Sequence, residues 1–216
     1  MIGVVIERVM FNGAIILIIT AIIFFVVHRA FKDRYAMRDK FLEDEQNANT
    51  ARSRNVEPEF FYYPNTEGLP LRDNVTGDIE KKQNLVINCA KLTMVRFPKK
   101  MTNLELKSNY GVVNLEKITG YEENYNRYTS VLIAWAEALL EHGGETEISD
   151  AITILENTIE LGSEYRKTYL RLADHYAGQS NADGLNHLLE RVAFVFTDEG
   201  IKRQLTQYIM DKKESL

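Results

Sequence analysis

The chain has 216 residues, with 31 Asp and Glu against 26 Lys and Arg, a net charge of −5 and one cysteine, Cys89. The acidic balance argues against a dedicated nucleic-acid-binding protein, which usually carries a basic face. A single cysteine rules out an intrachain disulfide, and with it a disulfide-stapled extracellular domain. From the acidic balance of the chain we expect no nucleic-acid partner.

The first predicted element is a transmembrane helix over residues 9–27. This run carries no charge, and its only polar residues are Asn12 and Thr20. A helix of this length covers roughly 28 Å, close to the ~30 Å of bilayer hydrocarbon. A cleaved signal peptide is the main alternative, but no small-residue cleavage site follows the run. We expect an anchor within residues 1–29 that contacts the lipid bilayer through residues 9–27.

Basic residues that follow the predicted anchor indicate its orientation. They are Arg29, Lys32, Arg34, Arg38 and Lys40. Lys and Arg beside a membrane span are retained on the cytoplasmic side. The predicted location is therefore the cell membrane, with a single pass and a cytoplasmic C-terminal domain.

Residues 30–75 are predicted as a charged juxtamembrane segment followed by an extended linker rich in proline and aromatic residues. Proline removes a backbone donor and disfavours helix in the residue before it. Pro58 and Pro64 bracket an aromatic cluster. The cluster comprises Phe60, Phe61, Tyr62 and Tyr63. These side chains either pack on the following domain, bind another protein or contact the membrane interface.

Beyond the linker, the periodicity predicts helices. Residues 79–94 have one apolar face and form a predicted amphipathic helix. Thr102 and Glu105 have the spacing of a capping box, in which each side chain accepts a hydrogen bond from a backbone N–H at a helix start. Residues 112–118 form a short apolar element, helix or strand, that Gly120 interrupts.

The predicted helical domain covers residues 76–216, and its last part is repetitive. When Trp135-Ala136 is aligned with Leu172-Ala173, each falls in a helix followed by a polar turn and a second helix. A final helix over residues 198–213 would cap the array. The large-small pairs resemble those of the tetratricopeptide repeat, which implies an all-α domain of α-α hairpins. The expected fold is about two repeats and a capping helix over residues 124–213, behind one transmembrane helix.

The resemblance implies protein–protein scaffolding rather than catalysis. The predicted function is a membrane-tethered adaptor, and the alternative is a structural accessory subunit of a membrane protein complex held partly through its transmembrane helix. The groove of such an array would be lined by residues of the first helices. We expect these to be Asn124, Arg127, Tyr128, Arg166, Tyr169 and Asp174, with the aromatic cluster of the linker as a second candidate contact.

An acidic stretch separates Arg127 from Arg166, with no Lys or Arg between them. Its acids are Glu137, Glu141, Glu145, Glu147, Asp150, Glu156, Glu160 and Glu164. These carboxylates form either an ordinary solvated face or a negative surface that steers a protein or peptide partner with a basic segment.

No motif in the chain predicts catalysis. The G-x-S-x-G, P-loop and Rossmann glycine patterns are absent from the sequence. His175 and His187 fall on different predicted helices without the ligand spacing of a metal site. The neighbouring Asp174 and His175 point about 100° apart on a helix, so they do not face each other. We expect no enzyme activity, no cofactor and no metal.

Overall fold

The computed structural model describes the backbone of residues 2–216 and the side chains of residues 19–216. It is predominantly α-helical, as predicted. The helices are α1 (Ile2–Asn49), α2 (Gly77–Ala90), α3 (Asn103–Tyr110), α4 (Val112–His142), α5 (Glu145–Glu160), α6 (Arg166–Gly178), α7 (Ala182–Val195) and α8 (Glu199–Glu214). A short 3-10 turn (Pro58–Phe60) precedes β1 (Phe61–Tyr62), and β2 is Met94–Val95.

The chain divides into two compact units. Unit 1 contains residues 1–55 and 99–116, and unit 2 contains residues 56–98 and 117–216. This division differs from the predicted boundaries, which placed everything after residue 75 in one domain. The difference is that residues 99–116 belong to unit 1, although they follow α2 in the sequence.

Unit 1 is built from α1, the segment that follows it, α3 and the first turn of α4. Lys107 Nζ lies 2.8 Å from Glu45 Oε2, and Asn114 Nδ2 donates to the Arg54 carbonyl at 2.6 Å. Gly111 has φ +80°, and a Cβ on it would lie 2.8 Å from Ser53 Cα. Both observations require glycine at this position, because the left-handed conformation and the close approach exclude a side chain.

The predicted capping box is confirmed at the start of α3. Thr102 accepts from the Glu105 backbone N–H, and the Glu105 carboxylate accepts from the Thr102 backbone N–H. This local motif satisfies two of the backbone donors that every helix start leaves without an intrahelical acceptor.

The predicted transmembrane anchor is overturned. Within residues 19–216, no helix combines the length and the apolar character needed to cross a membrane. Residues 9–18 of the predicted span lie outside the described side chains. The predicted bilayer contact and single-pass location relied on this anchor and lose that basis.

Unit 2 has one hydrophobic core, to which α2 and α4–α8 all contribute. Helix α6 packs against α5, α7 and α8, and α7 also packs against α8. Ala136, Ala151 and Ala173 are fully buried, as expected where small residues let helices approach closely. The four predicted helices that follow α4 are present as α5–α8.

The structure corrects two predictions about helix ends. Gly120 does not interrupt a short element, because α4 runs unbroken through it. A glycine costs a helix only about 1 kcal/mol relative to alanine, which the buried face of a long helix offsets. Met94 is not in the helix of residues 79–94, since α2 ends at Ala90 and Met94 pairs with Tyr62 in the β1–β2 ladder.

The connector, residues 56–75, is an ordered part of unit 2. Its β1 strand pairs antiparallel with β2, and the Arg96 N–H donates to the Phe60 carbonyl at 2.8 Å. Leu69 is buried in the core of the unit. These contacts fix the path by which the connector reaches α2.

Candidate functional site

A cleft of about 680 Å³ opens in unit 2 where the end of the connector approaches the last turn of α4 and the first turn of α5. Its walls are residues 72–76 and the first turn of α2 on one side, and α4 and α5 on the other. The lining residues are Arg72, Asp73, Asn74, Val75, Thr76, Asp78, Ile79, Ala138, Glu141, His142 and Glu147. We call this feature the acidic cleft.

The backbone of Arg72 is held in place by the buried amide of Gln83 on α2. The Arg72 N–H donates to Gln83 Oε1 at 3.1 Å, and Gln83 Nε2 donates to the Arg72 carbonyl at 2.8 Å. This reciprocal pair reproduces the hydrogen bonds of a strand partner and satisfies both polar groups of the side-chain amide. The wall of the cleft is therefore fixed at Arg72 from the α2 side.

The Arg72 side chain fixes the same wall from the α5 side. Its guanidinium contacts Glu147 Oε1 at 2.7 Å and also contacts Asp150 Oδ2. A guanidinium can address two carboxylates at once because its donors form a planar fork. The Glu147 backbone N–H, and after it Arg72, hold the pKa of the Glu147 carboxyl below its ordinary value.

The cleft has an excess of negative charge. Its lining residues include four carboxylates, those of Asp73, Asp78, Glu141 and Glu147, and one arginine, Arg72. Because Arg72 is already engaged with α5, the carboxylates of Asp73, Asp78 and Glu141 are the acidic groups of the cleft lining that Arg72 does not contact. Ile79 and Ala138 add a small apolar surface beside them.

Most of the acidic stretch serves the fold. Glu137 pairs with Lys167 at 2.6 Å, Glu156 accepts from the Tyr176 hydroxyl at 2.6 Å, and Glu160 contacts His187 at 3.0 Å. Glu147 and Asp150 hold Arg72. Of the two sequence-level interpretations, a negative surface is therefore best represented by Glu141, which lies in the cleft.

The predicted groove residues of α4 do not share one surface. Tyr128 is buried and packs near the Tyr62 ring, with centroids 6.2 Å apart, so it is a core residue rather than a groove residue. Asn124 donates to the Thr93 carbonyl at 2.9 Å and ties α4 to the β2 end. Arg127 is exposed to solvent.

The predicted groove residues of α6 are separated in the same way. Tyr169 is fully buried and donates to the Ser163 carbonyl at 3.0 Å, which again makes it a core residue. Asp174 is exposed and accepts from Tyr208 and Lys212, at 2.7 and 2.8 Å. Arg166 is exposed at the start of α6. The buried tyrosines fill the space between helices, so they have no surface for a partner.

The aromatic cluster lies mostly against its own unit. Phe60 meets Phe97 edge to face at 5.4 Å, and Tyr62 meets Tyr125 edge to face at 5.2 Å. The Phe61 ring lies 6.1 Å from that of Tyr121. Tyr63 differs from these residues, because its side chain is 78% exposed. Three of the four aromatic side chains thus brace the connector, and Tyr63 remains available for contacts.

The cleft residues of the connector were missed by the sequence analysis. A signal was present, since Arg72 is the only lysine or arginine between Arg54 and Lys81. An isolated cation near the end of a proline-rich connector has to find carboxylates elsewhere in the fold. Their position on α5 could not be read from local periodicity.

Among the described residues, no group of three or more His, Cys, Asp or Glu side chains is arranged to hold a metal ion. Cys89 is buried in the core of unit 2 and is not paired. The carboxylates that line the acidic cleft can attract cationic groups and accept hydrogen bonds from them.

The chain matches no protein-family model, no curated protein and no solved structure. The resemblance to the tetratricopeptide repeat is accordingly withdrawn, since the large-small pairs on which it depended are a general consequence of helix packing. The chain has a predominantly α-helical fold whose connector packs in unit 2, and its function is inferred from the acidic cleft.

Proposed function

We propose that this chain is a protein-binding adaptor and that its acidic cleft receives a basic segment of a partner protein. The observation that carries the proposal is the cleft of about 680 Å³ whose open face presents Asp73, Asp78 and Glu141. A lysine or arginine side chain entering there would meet carboxylates without having to displace a structural ion pair.

The anchoring of the cleft wall supports this proposal. Arg72 is fixed through its backbone by Gln83 and through its side chain by Glu147 and Asp150. A preformed wall lowers the cost of ordering a binding loop when the ligand arrives. Charge complementarity of this kind mainly raises association rates and selects against acidic partners.

The test compares two charge reversals on the same unit. Glu141→Lys places a cation in the cleft, whereas Glu190→Lys makes the same change of charge at an exposed position of α7 outside it. Calorimetric titration with an oligo-arginine peptide should show affinity reduced roughly three- to tenfold by Glu141→Lys and little changed by Glu190→Lys. An oligo-glutamate peptide serves as the ligand control.

Salt dependence gives a second readout. Added salt screens exposed charges, so the affinity of the unsubstituted chain should fall as ionic strength rises. The Glu141→Lys variant should show a shallower salt dependence. Equal loss of affinity in both variants would refute the cleft as the binding site, and the absence of any binding would refute the proposed partner chemistry.

A further inference from the structure

Residues 19–44 of α1 are not covered by any described part of the chain. Every residue from 19 to 44 is exposed, and contacts with α3 begin only at Glu45 and Ala48. Helices in proteins derive most of their stability from packing one face against a neighbour. An exposed helix of this length with large apolar side chains therefore has an unpartnered face.

Four of the large apolar side chains of this segment recur along one side of the helix. Phe24, Phe31, Tyr35 and Leu42 are all exposed, and their spacings place them within ~40° of one another around the helix axis. His28 and Arg38 complete the alternating spacing of three and four residues that defines a coiled-coil seam. We call this row of residues the α1 seam.

We propose that the α1 seam binds a second copy of the chain, with the two helices parallel and in register. In such a pair each aromatic residue meets its own counterpart across the seam. The charges that flank the seam also agree with this arrangement. Arg34 occupies the position that faces the residue five places later on the partner helix, which is Asp39. The symmetry of the pair forms this contact twice.

The cation within the seam is already partly compensated. Arg38 lies 3.2 Å from Asp39 Oδ1, and its guanidinium carbon is 5.1 Å from the centroid of the Tyr35 ring. Oδ2 is then the oxygen that Asp39 offers to Arg34 of the second copy. A polar residue in a seam costs stability but fixes the register of the pair. An antiparallel pair would instead place Tyr35 opposite Arg38 and would lose the contact between Arg34 and Asp39.

Disulfide cross-linking of the full chain tests the arrangement directly. Tyr35→Cys puts a thiol in the seam, and Met37→Cys puts one on the outer face, where the native side chain is 74% exposed. The native Cys89 is buried and supplies the background. Under mild oxidation, Tyr35→Cys should form a covalent dimer, and Met37→Cys should stay at the background level.

Two cross-linking results would overturn the proposal. Equal cross-linking of the two variants would mean random collision rather than a seam. Stronger cross-linking in a mixture of Tyr35→Cys and Arg38→Cys chains than in either variant alone would mean an antiparallel pair.

Sedimentation equilibrium measures the energetics of the same contacts. Phe31→Ser should weaken the dimer about tenfold or more, whereas Met37→Ser should not. Arg34→Asp should also weaken it, and adding Asp39→Arg to that variant should restore it. Circular dichroism confirms that each variant keeps its helices. A chain that sediments as a monomer, or a charge swap that does not restore the dimer, would refute the inference. The acidic cleft belongs to the other unit, so either result leaves the proposed function to its own test.

Discussion

Replacing Gln83 by methionine tests whether the amide on α2 holds the cleft wall in place. Gln83 is 7% exposed, and both of its hydrogen bonds go to the backbone of Arg72. Methionine has a similar length and a flexible apolar chain, so it fills the site without opening a large cavity. The substitution therefore removes the two hydrogen bonds and changes little else.

The expected cost follows from the two bonds that are lost. A typical intramolecular hydrogen bond contributes ~0.5–1.5 kcal/mol net, so the pair contributes ~1–3 kcal/mol. The lower part of this range is expected if water reaches the freed N–H and carbonyl of Arg72 through the cleft. The side chain of Arg72 keeps its contacts with α5, and the wall should loosen rather than unfold.

Urea unfolding followed by circular dichroism measures this free energy, and titration with the oligo-arginine peptide measures the effect on the cleft. Gln207→Met on the exposed face of α8 is the matched control, with an expected change within about 0.5 kcal/mol. The reasoning is wrong if Gln83→Met costs no more than this control. Lower stability with unchanged peptide affinity would separate the anchoring of Arg72 from the proposed binding.

Three further predictions concern the fold. Burial raises the pKa of Tyr125 to about 12. Its contribution to stability is therefore complete below pH 10 and is lost as the pH rises towards 12, where unfolded tyrosines are already ionised. Tyr125→Phe should flatten the curve of unfolding free energy against pH between pH 10 and pH 12. Gly184→Ala would place a Cβ 2.7 Å from the Tyr176 ring, and thermal unfolding should show a loss of ~1–3 kcal/mol. Thr102→Ala removes the capping box of α3 and should cost ~0.5–2 kcal/mol in the same assay, whereas Thr102→Ser should retain most of the stability.

Local sequence signals predicted the parts of the fold that depend on neighbouring residues. The capping box of Thr102 and Glu105 was predictable because all of its atoms come from one turn of chain. Helices α5–α8 were predictable because each buries a regular apolar face, which repeats every three to four residues. The same signals could not show that Met94 leaves its helix to pair with Tyr62, since this contact joins distant segments.

The acidic cleft was beyond the reach of such signals. The partners of Arg72 lie 75 and 78 residues further along the chain, and no local pattern connects them. Two of the predicted groove residues are core residues, for a related reason. Tyr128 and Tyr169 are large residues at helix-facing positions, and the sequence alone does not say whether such residues fill the core or line a surface.

The bracing of the connector determines how this protein can be divided experimentally. A fragment that began at residue 76 would lose the strand that pairs with Met94 and Val95, and it would uncover the rings of Tyr125 and Tyr128. Such a fragment should aggregate through its newly exposed aromatic surface. A protease should spare the peptide bonds around Tyr62, although the composition there resembles that of a flexible hinge.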